Sequence, residues 1–321
     1  LEVRVPSLKG LQLFEAWYGG SPEWVAYIPP RYDAVILEAE PLVSDKNGVI
    51  PLPVVHSAYP AFSYLYLGSD ETVLYTGDFR LEPLSAVGER SNALLEFLER
   101  ERDLRVDKLV VEGTNVGRPV APLGREEVVR VMRRVLSLGA PLLVALHRLE
   151  LDLFALILEE VRSAGRRALI ASSKLLDVVE AWAPELGIPL DCVARAPSLA
   201  ERVSSVELVG EGELRGSPGY VVVADLFELV DFARSFAGRV DLRGGFALLM
   251  LSEHEAEEGA EEAVALSWLR RLGLQPYRVR VSGHYYPHEL ARLLRLVKPR
   301  EVVPVHTEAP ELLLDMWKRL A

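Results

Sequence analysis

Hydrophobic and polar positions alternate in a strand–helix–strand rhythm through the middle of this chain. Short apolar runs bounded by turn residues, such as Tyr220–Ala224, predict buried strands, whereas longer stretches with apolar residues at helical spacing, such as Glu150–Ala164, predict helices. This alternation predicts an α/β fold with a parallel sheet flanked by helices. The predicted strands are Asp33–Glu38, Ser63–Leu67, Thr72–Tyr75, Lys108–Val111, Pro141–Ala145, Ala168–Ala171, Tyr220–Ala224, Ala247–Leu251, Tyr277–Val281 and Glu301–Val305. The predicted helices are Ser91–Arg102, Glu126–Leu138, Glu150–Ala164, Leu175–Leu186, Leu226–Phe236, Glu253–Leu272, His288–Leu296 and Pro310–Leu320.

Two further segments complete this pattern. The residues Ser69-Asp70 lie between two short strand-like runs and predict the turn of a β-hairpin. The segment Ala194–Gly219 has little periodicity, and we expect it to contain edge strands.

Composition narrows the class of protein. The chain has 321 residues, of which 50% are hydrophobic, so it can bury a large core and is neither disordered nor fibrous. This length suggests two domains, or one domain that carries an insertion. The apolar runs are shorter than the ~20 residues of a membrane-spanning helix, so no membrane partner is expected. The net charge of −11 argues against a protein that coats nucleic acid nonspecifically.

The counts of single residue types add two expectations, one about the cellular compartment and one about the source organism. The one cysteine, Cys192, cannot form an internal disulfide, which predicts a reducing cytoplasm. Asparagine and glutamine are scarce while charged residues are plentiful, which is typical of thermophile proteins. GC-rich codon usage is an alternative source of the many arginines.

Five chemically active residues stand where predicted strands end. His56, His284 and His306 follow apolar strands, and Asp78 and Glu112 have the same placement. Ligands of α/β proteins gather outside the carboxyl ends of strands, and imidazoles and carboxylates are metal ligands. Each residue alone has an ordinary alternative, as a loop histidine, a turn aspartate or a capping glutamate. Their joint occurrence predicts a metal site.

The surrounding motifs resemble a known family. The sequence Tyr75–Arg80 (YTGDFR), preceded by His56 in Val-His-Ser, is similar to metallo-β-lactamase-fold nucleases. Three further motifs, Glu-Gly-Thr at 112–114, Ser-Gly-His at 282–284 and Val-His at 305–306, resemble the β-CASP branch of these nucleases. That branch includes RNase J-like ribonucleases and the cleavage subunit of the polyadenylation machinery. The resemblance covers nearly the whole chain from Asp33 onward.

The resemblance implies a domain arrangement. It implies a metallo-β-lactamase αββα-type fold with its N-terminal part missing, interrupted by a parallel-sheet β-CASP insertion. Residues 1–114 would form the first part of the hydrolase domain, 115–280 the insertion, and 281–321 the return segment.

The resemblance also assigns roles to the five residues. His56 would bind one Zn²⁺, Asp78 would bridge two, and His306 would bind the second. Glu112 and His284 would form the acid pair that stabilises the transition state or protonates the leaving oxygen, so the catalytic set would be Asp78, Glu112 and His284.

The implied function is that of a metal-dependent ribonuclease in RNA processing or decay. A water activated by two zinc ions would hydrolyse phosphodiester bonds of single-stranded RNA. Histidine at the last motif, here His306, is typical of RNA-directed members, whereas DNA-directed members have valine. Ser282 and Arg148 would bind phosphate or RNA, and family members are often homodimers.

One family motif is absent, which leaves alternatives open. The ligand motif HxHxDH precedes the position of His56 in the family, yet residues 1–55 contain no histidine. The motif is expected before Leu1, since this chain does not begin with methionine; the enzyme would then be complete. Alternatively, the protein is a naturally shortened, metal-free homologue that acts as an RNA- or protein-binding scaffold. A small-molecule hydrolase on the same fold is a third alternative, which the large insertion disfavours.

Overall fold

The structure is a computed structural model that describes residues 2–19, 35–119, 121–214, 219–251 and 260–320. Its strands are β1 (Glu2–Val5), β2 (Val35–Glu38), β3 (Val49–Val54), β4 (Ala61–Leu67), β5 (Thr72–Tyr75), β6 (Lys108–Glu112), β7 (Leu142–Leu146), β8 (Arg167–Ile170), β9 (Val193–Arg195), β10 (Tyr220–Ala224), β11 (Phe246–Met250), β12 (Gln275–Arg278) and β13 (Glu301–Val305). Its helices are α1 (Leu8–Tyr18), α2 (Ala86–Arg90), α3 (Leu94–Arg100), α4 (Arg125–Leu136), α5 (Leu151–Ser163), α6 (Ser173–Leu186), α7 (Glu211–Leu214), α8 (Leu226–Ser235), α9 (Ala260–Arg271), α10 (Pro287–Val297) and α11 (Pro310–Leu320). None of the described helices is both long and apolar enough to cross a membrane.

The chain forms two units, each with its own hydrophobic core. The first unit takes residues 1–83, 89–121 and 283–321, and the second takes 84–88 and 122–282. Separate clusters of buried apolar side chains fill the two units. Mixed and parallel sheets with packed helices confirm the predicted α/β class.

The second unit is built on a parallel sheet. Among the described residues its strand order is β12-β11-β7-β10-β8-β9, and all its pairs are parallel. Every residue of the central strand β7 is buried, which is typical of parallel sheets covered on both faces by helices. The edge strand β9 (Val193–Arg195) overlaps the first two residues of Ala194–Gly219, the segment in which edge strands are expected. The assignment of residues 115–280 to a β-CASP insertion stays a prediction.

The first unit contains a mixed sheet, and the direction of its strands determines at which edge the site residues lie. Its described order is β13-β6-β5-β4-β3, with antiparallel pairs β3–β4 and β4–β5 and parallel pairs β5–β6 and β6–β13. The antiparallel pair β4–β5 confirms the predicted hairpin at Ser69-Asp70. Since β3, β5, β6 and β13 all run in one direction, their carboxyl ends meet at one edge of the sheet. A separate pair of parallel strands, β1 and β2, lies in the same unit.

Three elements of the first unit differ from expectation. The strand β3 contains Pro51 and Pro53, which disrupt the strand signal and are tolerated because β3 is an edge strand. Neither β1 nor α1 is among the predicted elements, although Ser7 supplies an ordinary helix-start signal by accepting the Gly10 N–H at 3.2 Å.

Most other elements match the prediction, with ends that differ by a few residues. The helix predicted at Ser91–Arg102 corresponds to α3, which is shorter and covers Leu94–Arg100. The first residues of the strand predicted from Asp33, and of the helix predicted from Glu253, lie outside the described residues.

One buried carboxylate organises the amino-terminal segment of the second unit. Asp152 is only 5% exposed and accepts hydrogen bonds from the backbone N–H groups of Leu84, Ser85 and Gly88 at 2.8, 2.8 and 3.1 Å. It also accepts the Ser85 hydroxyl at 2.7 Å. Because the backbone N–H groups of this segment donate to one buried carboxylate, Asp152 fixes the path of the backbone through residues 84–88.

We predict that Asp152→Ala lowers the free energy of unfolding by about 3 kcal/mol or more, because several buried donors lose their acceptor at roughly 1–3 kcal/mol each. Denaturant unfolding of wild type and variant measures the change. Asp231→Ala is the control, because Asp231 is exposed and forms a surface pair with Arg234 in the same unit. Equal losses in the two variants would contradict this role of Asp152.

Candidate metal centre

The five predicted residues of the first unit come together at the carboxyl edge of its sheet. His56 follows β3, Asp78 follows β5, Glu112 is the last residue of β6, and His306 follows β13 directly. His284 lies on the segment before α10. The common direction of the four strands therefore places residues distant in sequence at one location.

Four of these residues form a group that can hold a metal ion. One nitrogen or oxygen from each of Asp78, Glu112, His284 and His306 lies within 4.8 Å of all the others. His56 lies beside them: its Nε2 is 3.8 Å from Asp78 Oδ2, and its ring centroid is 4.9 Å from that of His284. Among the predicted ligands, the structure thus places Asp78 and His306 in the group and His56 at its margin.

The buried part of this cluster is a histidine–glutamate pair. Glu112 is fully buried and His284 is 2% exposed, and His284 Nδ1 lies 3.0 Å from Glu112 Oε1. Glu112 also accepts the Thr114 N–H at 2.9 Å and the Phe79 N–H at 3.4 Å. Since an ionised carboxylate can only accept, Nδ1 is the donor and Nε2 is the remaining titratable nitrogen.

The accessible part of the cluster is formed by Asp78 and His306, whose side chains are 35% and 39% exposed. His306 Nδ1 lies 2.9 Å from Asp78 Oδ1 and 3.2 Å from Thr114 Oγ1. The φ angle of His306 is +48°, in the left-handed region that histidine enters more readily than most residues. The Thr114 hydroxyl donates to the carbonyl oxygen of His306 at 3.3 Å, which helps to hold this conformation.

His56 is held as a neutral imidazole. Its Nδ1 lies 3.1 Å from the carbonyl oxygen of Gly283, to which it donates. Burial, together with the nearby charge of His284, lowers the pKa of His56 to about 4, against the opposing effect of Asp78. A neutral ring that donates through Nδ1 keeps a lone pair on Nε2, which is what a metal ligand requires.

Carboxylate oxygens and imidazole nitrogens, the donors present here, are ligand types that zinc takes. Tetrahedral zinc with ligands at about 2.0–2.2 Å separates neighbouring donors by roughly 3.3 Å. The distances from Asp78 to His306 and to His56, 2.9 and 3.8 Å, lie on either side of this value. Three donors and an open position are the ligand set of a catalytic zinc. A second ion would need donors beyond these described residues.

Two motif glycines allow the loops to approach closely. A Cβ on Gly283 would lie 2.6 Å from the backbone N of Ser57, the neighbour of His56. A Cβ on Gly113 would lie 2.6 Å from the Cβ of Thr307. Both distances are shorter than any ordinary contact, so a side chain at either position would push two site loops apart.

The two predicted phosphate-binding residues have different environments. Ser282 is fully buried and is the last residue of the second unit. Arg148 follows β7 in that unit and forms an ion pair with Asp225, Nη1 to Oδ2, at 3.0 Å. Their binding of phosphate or RNA stays a prediction.

Three residues that support the site are absent from the predicted set. Besides Thr114, Asn115 donates through Nδ2 to the Tyr285 carbonyl at 2.7 Å. Glu289, 1% exposed, accepts the backbone N–H groups of Tyr286 and Glu82. A glutamate three residues after a helix start is a capping signal that the sequence does contain.

Glu289, like His56, has a strongly altered acidity. Burial raises the pKa of Glu289 to about 7, with a further contribution from the Glu82 charge. The two backbone N–H groups and Arg80 oppose this shift.

We predict that this carboxyl destabilises the fold as pH rises. Between an unfolded pKa of about 4.5 and a folded pKa of about 7, the folded state binds more protons, so the free energy of unfolding falls with increasing pH. The full effect is of the order of 3 kcal/mol. Denaturant unfolding at pH 5 and pH 8 should show a smaller pH-dependent loss for Glu289→Gln than for wild type; equal losses would refute the prediction.

We predict that Gly283→Ala disrupts the site more than the fold. The new Cβ meets backbone, which cannot rotate away, so His56 and His284 must move apart. Zinc affinity, measured by competition with a chromophoric chelator, should fall by about tenfold or more. Gly212→Ala is the control, since a Cβ there meets nothing within 4 Å, and it should bind zinc as wild type does. Unchanged affinity in Gly283→Ala would contradict the prediction.

Comparisons with known proteins find similar sequences and a matching family model. The family model of a Zn-dependent metallo-hydrolase RNA specificity domain matches residues 274–313. The chain is 26% identical over 292 residues to a ribonuclease J of Mycobacterium tuberculosis (strain CDC 1551 / Oshkosh), covering 86% of this chain and 50% of that protein. It is 28% identical over 251 residues to a ribonuclease J of Mycolicibacterium smegmatis, covering 73% and 42%.

The fold has a counterpart among solved structures. A crystal structure of a protein of unknown function from Enterococcus faecalis V583 matches with a TM-score of 0.69 at 20% identity, covering 97% of this chain and 71% of that one. The chain spans about half the length of the curated ribonuclease J relatives it matches. It is thus similar to ribonuclease J over most of its own length, which confirms the resemblance to the β-CASP branch of the metallo-β-lactamase-fold nucleases and the predicted fold class.

Proposed function

We propose that this chain contributes to a metal-dependent ribonuclease that hydrolyses phosphodiester bonds of single-stranded RNA. The observation that carries the proposal is the cluster of Asp78, Glu112, His284 and His306 at the carboxyl edge of the first unit's sheet. The ribonuclease J relatives and the RNA specificity domain at residues 274–313 support RNA as the substrate class.

His56, Asp78 and His306 would hold the metal, and Asp78 would be the ligand shared between two ions. When bound, zinc ions lower the pKa of a coordinated water and offset the negative charge of a phosphodiester. The three side chains differ in exposure, since His56 is mostly buried while Asp78 and His306 are partly open. This side of the cluster is therefore the one open to solvent and to a ligand.

His284 and Glu112 would act as the acid pair. Glu112 accepts the hydrogen bond from Nδ1 of His284, so Nε2 is the nitrogen left to carry a second proton. The proton on Nε2 is then the one available for the oxygen that leaves phosphorus. A positioned imidazole of this kind contributes about 10²–10⁴-fold to a reaction rate.

The finer assignments are part of the same proposal. We infer RNA rather than DNA from the histidine at position 306, and phosphate contacts at Ser282 and Arg148. Cys192 is buried, and burial raises the pKa of its thiol, which suits an inert cysteine in a reducing cytoplasm. A homodimer and a thermophilic source stay predictions.

We predict that the full-length protein binds about two zinc ions and degrades single-stranded RNA. Asp78→Ala should lower zinc affinity by about 10–100-fold, and His284→Ala should slow cleavage by about 10²-fold or more. Titration with zinc and cleavage of an end-labelled RNA oligonucleotide measure the two effects. Asp231→Ala, an exposed change far along the chain, is the control and should retain both properties.

The same experiment separates the proposal from its alternative. The alternative is a metal-free scaffold that binds RNA or a protein, and residues 1–55 add no histidine to the candidate ligands. RNA binding without zinc binding and without cleavage would support the scaffold. Cleavage at the wild-type rate by Asp78→Ala would refute the site assignment.

A further inference from the structure

We propose that Glu289 is a positioning residue that locks the loop carrying Asp78 to the segment carrying His284. The inference concerns residues outside the metal ligands and the acid pair. It rests on the proposed function only for its consequence in activity, because the geometry it describes belongs to the protein without metal.

Glu289 lies in the first turn of α10, and its carboxylate contacts two different segments. Oε2 accepts the N–H of Tyr286, two residues after His284. Oε1 accepts the N–H of Glu82, four residues after Asp78. The carboxylate is 1% exposed, so water does not compete for it. One side chain therefore connects two site segments, and it lies 207 positions from Glu82 in sequence.

The segment after Asp78 transmits this restraint to the other site residues. The Arg80 N–H donates to the Val55 carbonyl at 2.7 Å, and Val55 is the neighbour of His56. The Phe79 N–H donates to Glu112. Hence a shift at residue 82 would alter the contacts that hold His56 and the acid pair as well as Asp78.

The segment after His284 is coupled to the same loop by packing. The rings of Tyr285 and Phe79 are both fully buried, with centroids 5.3 Å apart. Asn115 fixes the backbone here through the Tyr285 carbonyl. With Glu289 in place, the segments on either side of the cluster cannot slide independently.

The cost of this arrangement indicates a role beyond capping a helix. Burying a carboxylate is unfavourable, and here burial raises the pKa of Glu289. An ordinary helix cap does not require a buried acid. On α4, the equivalent residue Glu127 accepts the Gly124 N–H at 3.1 Å while only half-buried. Glu127 is therefore a matched control that has the capping role alone.

The test compares Glu289→Ala and Glu289→Gln with Glu127→Ala, using amide hydrogen exchange in the metal-free protein. The exchange rates of Phe79 and Arg80 are the readout, because Glu289 does not contact either amide and a cap on α10 alone would not protect them. We expect at least tenfold faster exchange at both amides in Glu289→Ala, and a smaller increase in Glu289→Gln, which keeps one acceptor oxygen. Glu127→Ala should leave these amides at wild-type rates.

A second measurement uses Co²⁺ as a spectroscopic probe. Loss of a supporting residue typically lowers metal affinity by about 10–100-fold, so Glu289→Ala should weaken Co²⁺ binding and alter its visible absorption, whereas Glu127→Ala should do neither. Faster exchange confined to α10, with Phe79, Arg80 and the Co²⁺ spectrum unchanged, would overturn the proposal. If the wild-type protein does not cleave RNA while Glu289→Ala still shows these exchange changes, the proposed function is refuted. The role of Glu289 as a positioning residue then stands.

Discussion

The candidate site depends on the burial of one carboxylate, that of Glu112. It is fully buried and accepts hydrogen bonds from His284 and from the backbone of Phe79 and Thr114. An uncompensated charge in this position would be very costly, so the three donors must be present together. Because they come from three separate segments, the requirement to satisfy one acid brings those segments into a fixed arrangement.

The sheet makes that arrangement possible. With β3, β5, β6 and β13 running in one direction, their following residues reach the same edge, and only short loops are needed to bring side chains within hydrogen-bond distance. The glycines at 113 and 283 then remove the side chains that would keep the loops apart. Thus the strand direction sets the location of the site, and the glycines and buried acids set its dimensions.

The sequence allowed most of the fold and much of this site to be predicted, for definite physical reasons. Short apolar runs bounded by turn residues are a strand signal, so Tyr220–Ala224 could be bounded correctly. Glu301–Val305 was also bounded correctly, although Val302 is its one buried residue. Site residues that follow such runs, for example Asp78 and His306, could therefore be predicted from the sequence. Of β3, only the end before His56 could be predicted, because Pro51 and Pro53 interrupt the strand signal of this edge strand. Glu289 was missed since its helix-cap pattern gives no sign that the same carboxylate reaches Glu82, a contact that only the tertiary fold creates.

The charge of the site makes the proposed RNA binding depend on the proposed metal binding. The chain has a net charge of −11, so its long-range field opposes a polyanion. Within the cluster, Asp78 and Glu112 add negative charge, while the pKa of His56 is lowered to about 4 and its ring contributes none at neutral pH. Arg148, the arginine proposed for RNA, is already paired with Asp225. The described cluster therefore has little positive charge of its own to offer a phosphodiester. If RNA is the substrate, bound divalent ions have to reverse the local sign first, so that RNA binding at this edge of the sheet should follow metal binding rather than precede it.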